Sequence, residues 1–83
     1  MVALLAERDR VVASLRAAGH AFPDPQANFV WLPLGDRTDG VYLALERRGV
    51  VTRPFSGEGL RVTIGTPAEN DRFVDALAAA TAD

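Results

Sequence analysis

The chain reads as a small two-layer α/β domain: a three-stranded sheet in spatial order 1-3-2 with helices on one face. Three observations carry that reading. Apolar residues recur at helical spacing in three segments, and aromatic and β-branched residues gather in three short runs between them. The resulting order is α-β-α-β-β-α, in which strand one, a crossover helix and strand two form a right-handed parallel β-α-β unit. A tight turn, "SGEG", joins the last two strands, so strand three runs antiparallel to both others and fills the gap between them. The expected sheet is therefore mixed, a split β-α-β arrangement. Its second face has nothing from this chain to cover it.

Residues 3–18 form the first expected helix, with Leu4, Leu5, Val11, Val12 and Leu15 in the apolar stripe. Gly19 follows the last periodic residue and suits the left-handed position after a helix. "HAFPDPQ", with its prolines and aspartate, is a loop in which His20 reads as an exposed residue. "NFVWLPL" is strand one, ended by Pro33. "GDRTDG" leads into a second helix over 39–48, with Val41, Tyr42 and Leu45 inward and Gly49 as its stop. "VVTRPF" and "LRVTIG" are strands two and three. "TPAE" then starts the third helix: Thr66 at the N-cap, Pro67 at the first helical position and Glu69 at the third make a capping box. Phe73, Val74, Leu77 and Ala78 form its apolar stripe, to about Ala80. No repeat, linker or second domain interrupts residues 1–83.

Bulk composition narrows the function. A net charge of −2 gives no electrostatic case for nucleic acid or anionic membranes. No apolar run reaches the length of a membrane span, and "MVALLAERDR" lacks the basic flank and long apolar core of a signal peptide. There is no cysteine and a single histidine, so neither disulfides nor a metal site is expected, and the expected setting is the cytoplasm. All nine basic residues are arginine. No lysine nucleophile, Schiff-base lysine or P-loop lysine lies within these residues.

The hairpin makes a sharper statement. With its turn centred on Gly57, pairing sets Thr52 opposite Val62 and Arg53 opposite Arg61. Alternation sends Val50, Thr52, Leu60, Val62 and Ile64 to the helical face, and Val51, Arg53, Arg61 and Thr63 to the bare one. On strand one, Asn28, Val30 and Leu32 are expected on the bare face, with Phe29 and Trp31 in the helical core. Like charges directly opposite on a sheet repel, and an anion between them reverses the sign. Two readings stand. The pair is an anion clamp, for which the guanidinium fork suits carboxylate and phosphate. Or both side chains extend into solvent or pair with Glu58, itself a turn residue rather than a general base. "GEG" lies between strands and opens no helix, so it is not a phosphate loop.

"ANFVWLPL", "GVVTRPFSGEGLRVTIGTPAEND" and the helix that follows resemble the C-terminal segment of fold type I pyridoxal-phosphate aminotransferases. The nearest group is that of the histidinol-phosphate and aromatic amino-acid aminotransferases. The resemblance covers nearly the whole chain, and the "RPF…GEG…RVTIGTP" run is its specific part. It implies that Arg61 grips a substrate α-carboxylate or phosphate, that Arg53 contributes to the same anion pocket, and that Asn28 lies on the active-site side. It implies that Phe55 borders the substrate side chain, the short loop being more like that of the aromatic-preferring members. Histidinol phosphate and aromatic amino acids both stay open as substrates. It implies a cofactor, pyridoxal phosphate, held by a large domain that precedes this region, with no catalytic or cofactor-binding residue among these 83. The fragment alone is then expected to be inactive, with the large domain and an amino-acid or phosphate substrate as partners. Self-association through the bare face is expected for the isolated piece. The alternative is a free-standing small α/β module that binds an anion or amino acid.

Overall fold

A computed structural model describes residues 2–25 and 27–81, with the side chains of the first helix from Ala6 onward. Its elements are α1 (Val2–Ala17), β1 (Phe29–Leu32), α2 (Thr38–Arg47), β2 (Arg53–Phe55), β3 (Gly59–Thr63) and α3 (Pro67–Thr81). A single 3-10 turn, Gly35–Arg37, leads into α2, and the Thr38 hydroxyl, fully buried, donates to the Gly35 carbonyl at 2.7 Å. Gly19 and Gly49 follow α1 and α2 with φ of 95° and 80°, as the sequence requires of them. The capping box of α3 is present: the Thr66 N–H donates to Glu69 Oε1 at 2.9 Å and the Glu69 N–H to Thr66 Oγ1 at 3.2 Å.

The strand order is β1-β3-β2, as expected. Both ladders are antiparallel; β1 and β2 run parallel to each other but are not neighbours, so no parallel ladder exists among the described residues. The core lies between the sheet and the helices. Val11, Val12 and Leu15 of α1, Val41 and Leu45 of α2, and Phe73, Ala76 and Leu77 of α3 meet Val30, Leu32, Leu60, Val62 and Ile64. Leu4 and Leu5 lie outside the described side chains, and of the "HAFPDPQ" loop all but Gln26 is described. Arg8 Nη1 donates to the Ala27 carbonyl at 2.7 Å and Arg16 Nη2 to Asp24 Oδ1 at 2.7 Å, which ties that loop to α1.

Three expectations need correction. The facing of β1 is inverted: Val30 and Leu32 are buried under the helices, while Phe29 and Trp31 are half-buried on the other face. The register compels it, because Val30 pairs with Val62 and Leu32 with Leu60, and cross-strand partners share a face. In α3, Ala76 rather than Ala78 completes the buried stripe. Strand two begins only at Arg53, so the expected Thr52–Val62 pair lies beyond the end of the ladder, although Thr52 does face the core.

Asn70 is 3% exposed. Its Oδ1 accepts from the Gly65 N–H at 2.9 Å, and its Nδ2 donates to the Gly65 carbonyl at 3.1 Å and to Glu7 Oε1 at 3.0 Å. It therefore joins the end of β3, the start of α3 and the middle of α1. Glu7 also pairs with Arg10, which reaches Asp71 at 2.8 Å.

Candidate functional site: an arginine pair on the bare sheet face

The hairpin arithmetic holds at its centre. Arg53 pairs with Arg61, Pro54 with Leu60 and Phe55 with Gly59, across a turn in which Gly57 takes φ 79°. On the far side Arg61 pairs with Trp31. A row Trp31–Arg61–Arg53 thus crosses the bare face, flanked by Phe29 on β1 and Phe55 on β2. Pro54 has no N–H, so the ladder hydrogen bonds fall on the Arg53–Arg61 and Phe55–Gly59 pairs, and Pro54 sits where an edge strand can spare its donor. In such a hydrogen-bonded pair the Cα atoms stand about 5.5 Å apart, and both side chains rise from the same surface.

Each guanidinium is backed by an aromatic ring. The Arg61 guanidinium carbon lies 5.4 Å from the centroid of the Phe29 ring and that of Arg53 lies 5.7 Å from that of Phe55. At these distances the ring quadrupole attracts the cation while the in-plane N–H groups stay free to donate. Among the described residues neither arginine has an ion pair, and the Glu58 side chain does not reach them. The Glu58 carbonyl instead accepts from the Gly35 N–H at 3.0 Å, holding the turn against the chain before α2.

Phe55 stands within the site, in contact with Arg53. Asn28 is exposed, one residue before the β1 ladder, and its carbonyl accepts from the Ile64 N–H at 2.7 Å. The ladder brings it no closer to the arginines than the β3 end opposite. Trp31, expected in the core, stands on the site face: its ring meets Phe55 edge-on, with centroids 5.5 Å apart and planes at 70°. Gly59 makes room for this. A Cβ at Gly59 would run into the Leu32 carbonyl oxygen and come within 2.9 Å of Trp31 Cζ2. Phe29, Trp31 and Gly59 are the site residues that sequence reasoning missed. Gly59 is the first residue of β3 and stands at the end of "GEG", so in the sequence it reads as a turn glycine.

A cleft of about 330 Å³ lies elsewhere, where the chain before β2 diverges from β3, with Val51, Thr63, Gly65 and Arg72 among its lining. Its Glu69 and Asn70 side chains are already committed to the start of α3. The arginine row, by contrast, offers unpaired donors on a regular scaffold. Among the described residues there is no cluster of metal-ligating side chains, and no helix is long and apolar enough to cross a membrane.

Known proteins share this arrangement of sequence and fold. The chain is 58% identical over 72 residues to an aromatic amino acid aminotransferase of Streptomyces avermitilis, covering 87% of this chain and 20% of that protein. It is 55% identical over 74 residues to an aromatic amino acid aminotransferase of Mycolicibacterium smegmatis, covering 88% and 20%. The chain thus spans about a fifth of the length of the curated relatives it matches. A crystal structure from Burkholderia pseudomallei, provisionally assigned as an aminotransferase, superposes with a TM-score of 0.82 at 30% identity, covering 92% of this chain and 24% of that one. The family model described as aminotransferase class I and II matches residues 2–77, and the chain belongs to that family.

Proposed function

We propose that these residues form the C-terminal small domain of a pyridoxal-phosphate-dependent aminotransferase and supply its grip on the substrate anion. Arg61 binds the α-carboxylate, or a phosphate, through charge-assisted hydrogen bonds, and Arg53 reinforces it from the neighbouring strand. The observation that carries the proposal is the Arg53–Arg61 pair itself: two like charges in register on an uncovered face, each backed by a ring. Holding the carboxylate orients the substrate amino group and converts binding into proximity. Phe55, with Trp31 beside it, would border an aromatic substrate side chain, which favours aromatic amino acids. Histidinol phosphate is the second substrate class, since a phosphate dianion also suits two guanidiniums. Asn28, two residues before Val30 and bonded through its carbonyl to the Ile64 N–H, is in phase with the core face rather than the arginines' face, and it is left out of the grip.

The residues present do not fit the cofactor. The bare face offers guanidiniums and aromatic rings, and no lysine exists in the chain to form the linkage a pyridoxal aldehyde needs. The cofactor is therefore assigned to a large domain outside these residues, and no step of its chemistry is routed through this chain. The proposal includes a cytoplasmic setting, a role in amino-acid biosynthesis and docking of the bare face against that large domain.

The test is calorimetric titration of the 83-residue chain with inorganic phosphate and with phenylalanine, beside Arg61→Gln and Arg53→Gln. Both ligands should bind wild type weakly, Arg61→Gln should lose most of the binding and Arg53→Gln part of it. Equal binding by wild type and Arg61→Gln would overturn the reading. So would transamination by this chain alone with added cofactor.

A further inference from the structure

The arginine pair is only as fixed as the strand that carries Arg53. β2 is three residues long, lies at the sheet edge and pairs only with β3. Only the Arg53–Arg61 and Phe55–Gly59 pairs carry ladder bonds to it, and edges this short open locally at small free energy. Ser56 Oγ donates to Asp39 Oδ2 at 2.9 Å and the Gly35 N–H holds Glu58, but both anchor the turn from the α2 side. On the bare face the tie comes from β1.

Trp31 lies two strands away from β2, yet its ring reaches Phe55. It does so by crossing over Gly59, the one position of β3 where the path has no side chain. The Phe55 ring it meets is the same ring that lies under the Arg53 guanidinium. A continuous chain of contacts therefore runs Trp31 edge, Phe55 ring, Arg53 guanidinium. We propose that Trp31 is a positioning residue: by clasping Phe55 across Gly59 it holds the edge strand and its arginine level with Arg61. The inference rests on reading the arginine pair as the anion grip, and extends it to a residue of the far strand that acts through Phe55.

The coupling has a signature that loss of general stability does not share. Arg53→Gln already removes the group that Trp31 serves, so Trp31→Leu should add nothing in that background. In the wild-type background Trp31→Leu should weaken phosphate binding about five- to tenfold, as much as Arg53→Gln does. Phe55→Leu should match it, and Trp31→Phe, which keeps a shorter ring, should recover part of the loss. Independently of any ligand, NMR hydrogen exchange should show the Arg53 and Phe55 amides of Trp31→Leu exchanging about tenfold faster, with the Val30 and Val62 amides unchanged. Equal losses from Trp31→Leu with and without Arg53 would overturn the proposal, as would unchanged exchange at Arg53. Absence of phosphate binding by wild type would refute the anion grip, and the exchange data would then still decide whether Trp31 holds β2. Should Trp31→Leu fail to fold, Phe55→Leu carries the same comparison.

Discussion

Replacing Asn70 by alanine removes a side chain whose hydrogen bonds join α1, the end of β3 and α3. It is 3% exposed, and three hydrogen bonds leave with it: one accepted from the Gly65 N–H and two donated, to the Gly65 carbonyl and to Glu7. A bond of this kind contributes about 1 kcal/mol net, and stranding a buried partner costs about 1–3 kcal/mol more. Glu7 keeps Arg10, and Gly65 is half-buried, so water replaces part of what is lost. The expected loss is about 3 kcal/mol, against a total of roughly 4–12 kcal/mol for a domain of this size. In a small domain that lowers Tm by about 12–24 °C. Thermal unfolding followed by far-ultraviolet circular dichroism measures it. Asn70→Asp sharpens the comparison at neutral pH: it keeps an acceptor for the Gly65 N–H, loses both donated bonds and sets a second carboxylate against Glu7. It should therefore fare no better than alanine. A fall of less than about 4 °C in Asn70→Ala, equivalent to under about 1 kcal/mol, would refute the reasoning.

Gly59→Ala drives a Cβ against the Leu32 carbonyl, a backbone atom that cannot yield without opening the β1–β3 ladder, so urea denaturation should show a loss of about 2–3 kcal/mol. Thr52 Oγ1 is buried with no hydrogen-bond partner among the described residues, so Thr52→Val should raise stability by about 1 kcal/mol; an unchanged or lower midpoint would count against it. Glu7 is held below the ordinary carboxylate range by its hydrogen bonds from Arg10 and then Asn70, and Glu69 by those from the Thr66 backbone and then its side chain. A lowered folded pKa contributes stability above the unfolded value, roughly 4.3, and loses it as pH falls through the folded value. Tm should therefore stay level from neutral pH to about 5 and drop below about 4, with a shallower acid limb in Glu7→Gln. Val51 is 89% exposed beside the arginine row, so Val51→Ser should reduce self-association of the isolated chain in light scattering at high concentration.

The legible parts of the sequence were those with a local rule behind them. The capping box, the helix-ending glycines and the hairpin register each follow from a few adjacent residues, and Gly57 alone set Arg53 opposite Arg61. The facing of β1 had no such rule. Phe29, Val30, Trp31 and Leu32 are all apolar, so either phase satisfies a strand, and only pairing with β3 chooses between them. The helical face took the aliphatic pair that fills space against α2 and α3, and the rings went to the arginines. The alanines near the end of α3 offer no contrast either, so nothing in the sequence favours Ala76 over Ala78 for the buried stripe. Asn70 did leave a trace: with Phe73 and Leu77 it continues the apolar stripe at i, i+3 and i+7, and a polar residue there must find partners inside.

The inverted phase of β1 changes what the arginine pair means. With only aliphatic neighbours, two guanidiniums on adjacent strands would repel by an amount of order 1 kcal/mol in water and scatter into solvent. With Phe29 under one and Phe55 near the other, each gains about 0.5–1 kcal/mol from its ring, enough to offset that repulsion without a counter-ion. The rings hold the cations in place but do not neutralise them. No carboxylate among the described residues does so either. What remains is a pair of fixed forks whose edge N–H groups lack a partner of opposite charge. Lysine could not be used in the same way, because its ammonium has no flat face to stack and no fork to present. Phe29, expected in the core, and Phe55 are thus what permits the charges to stay together, and an anion completes the arrangement.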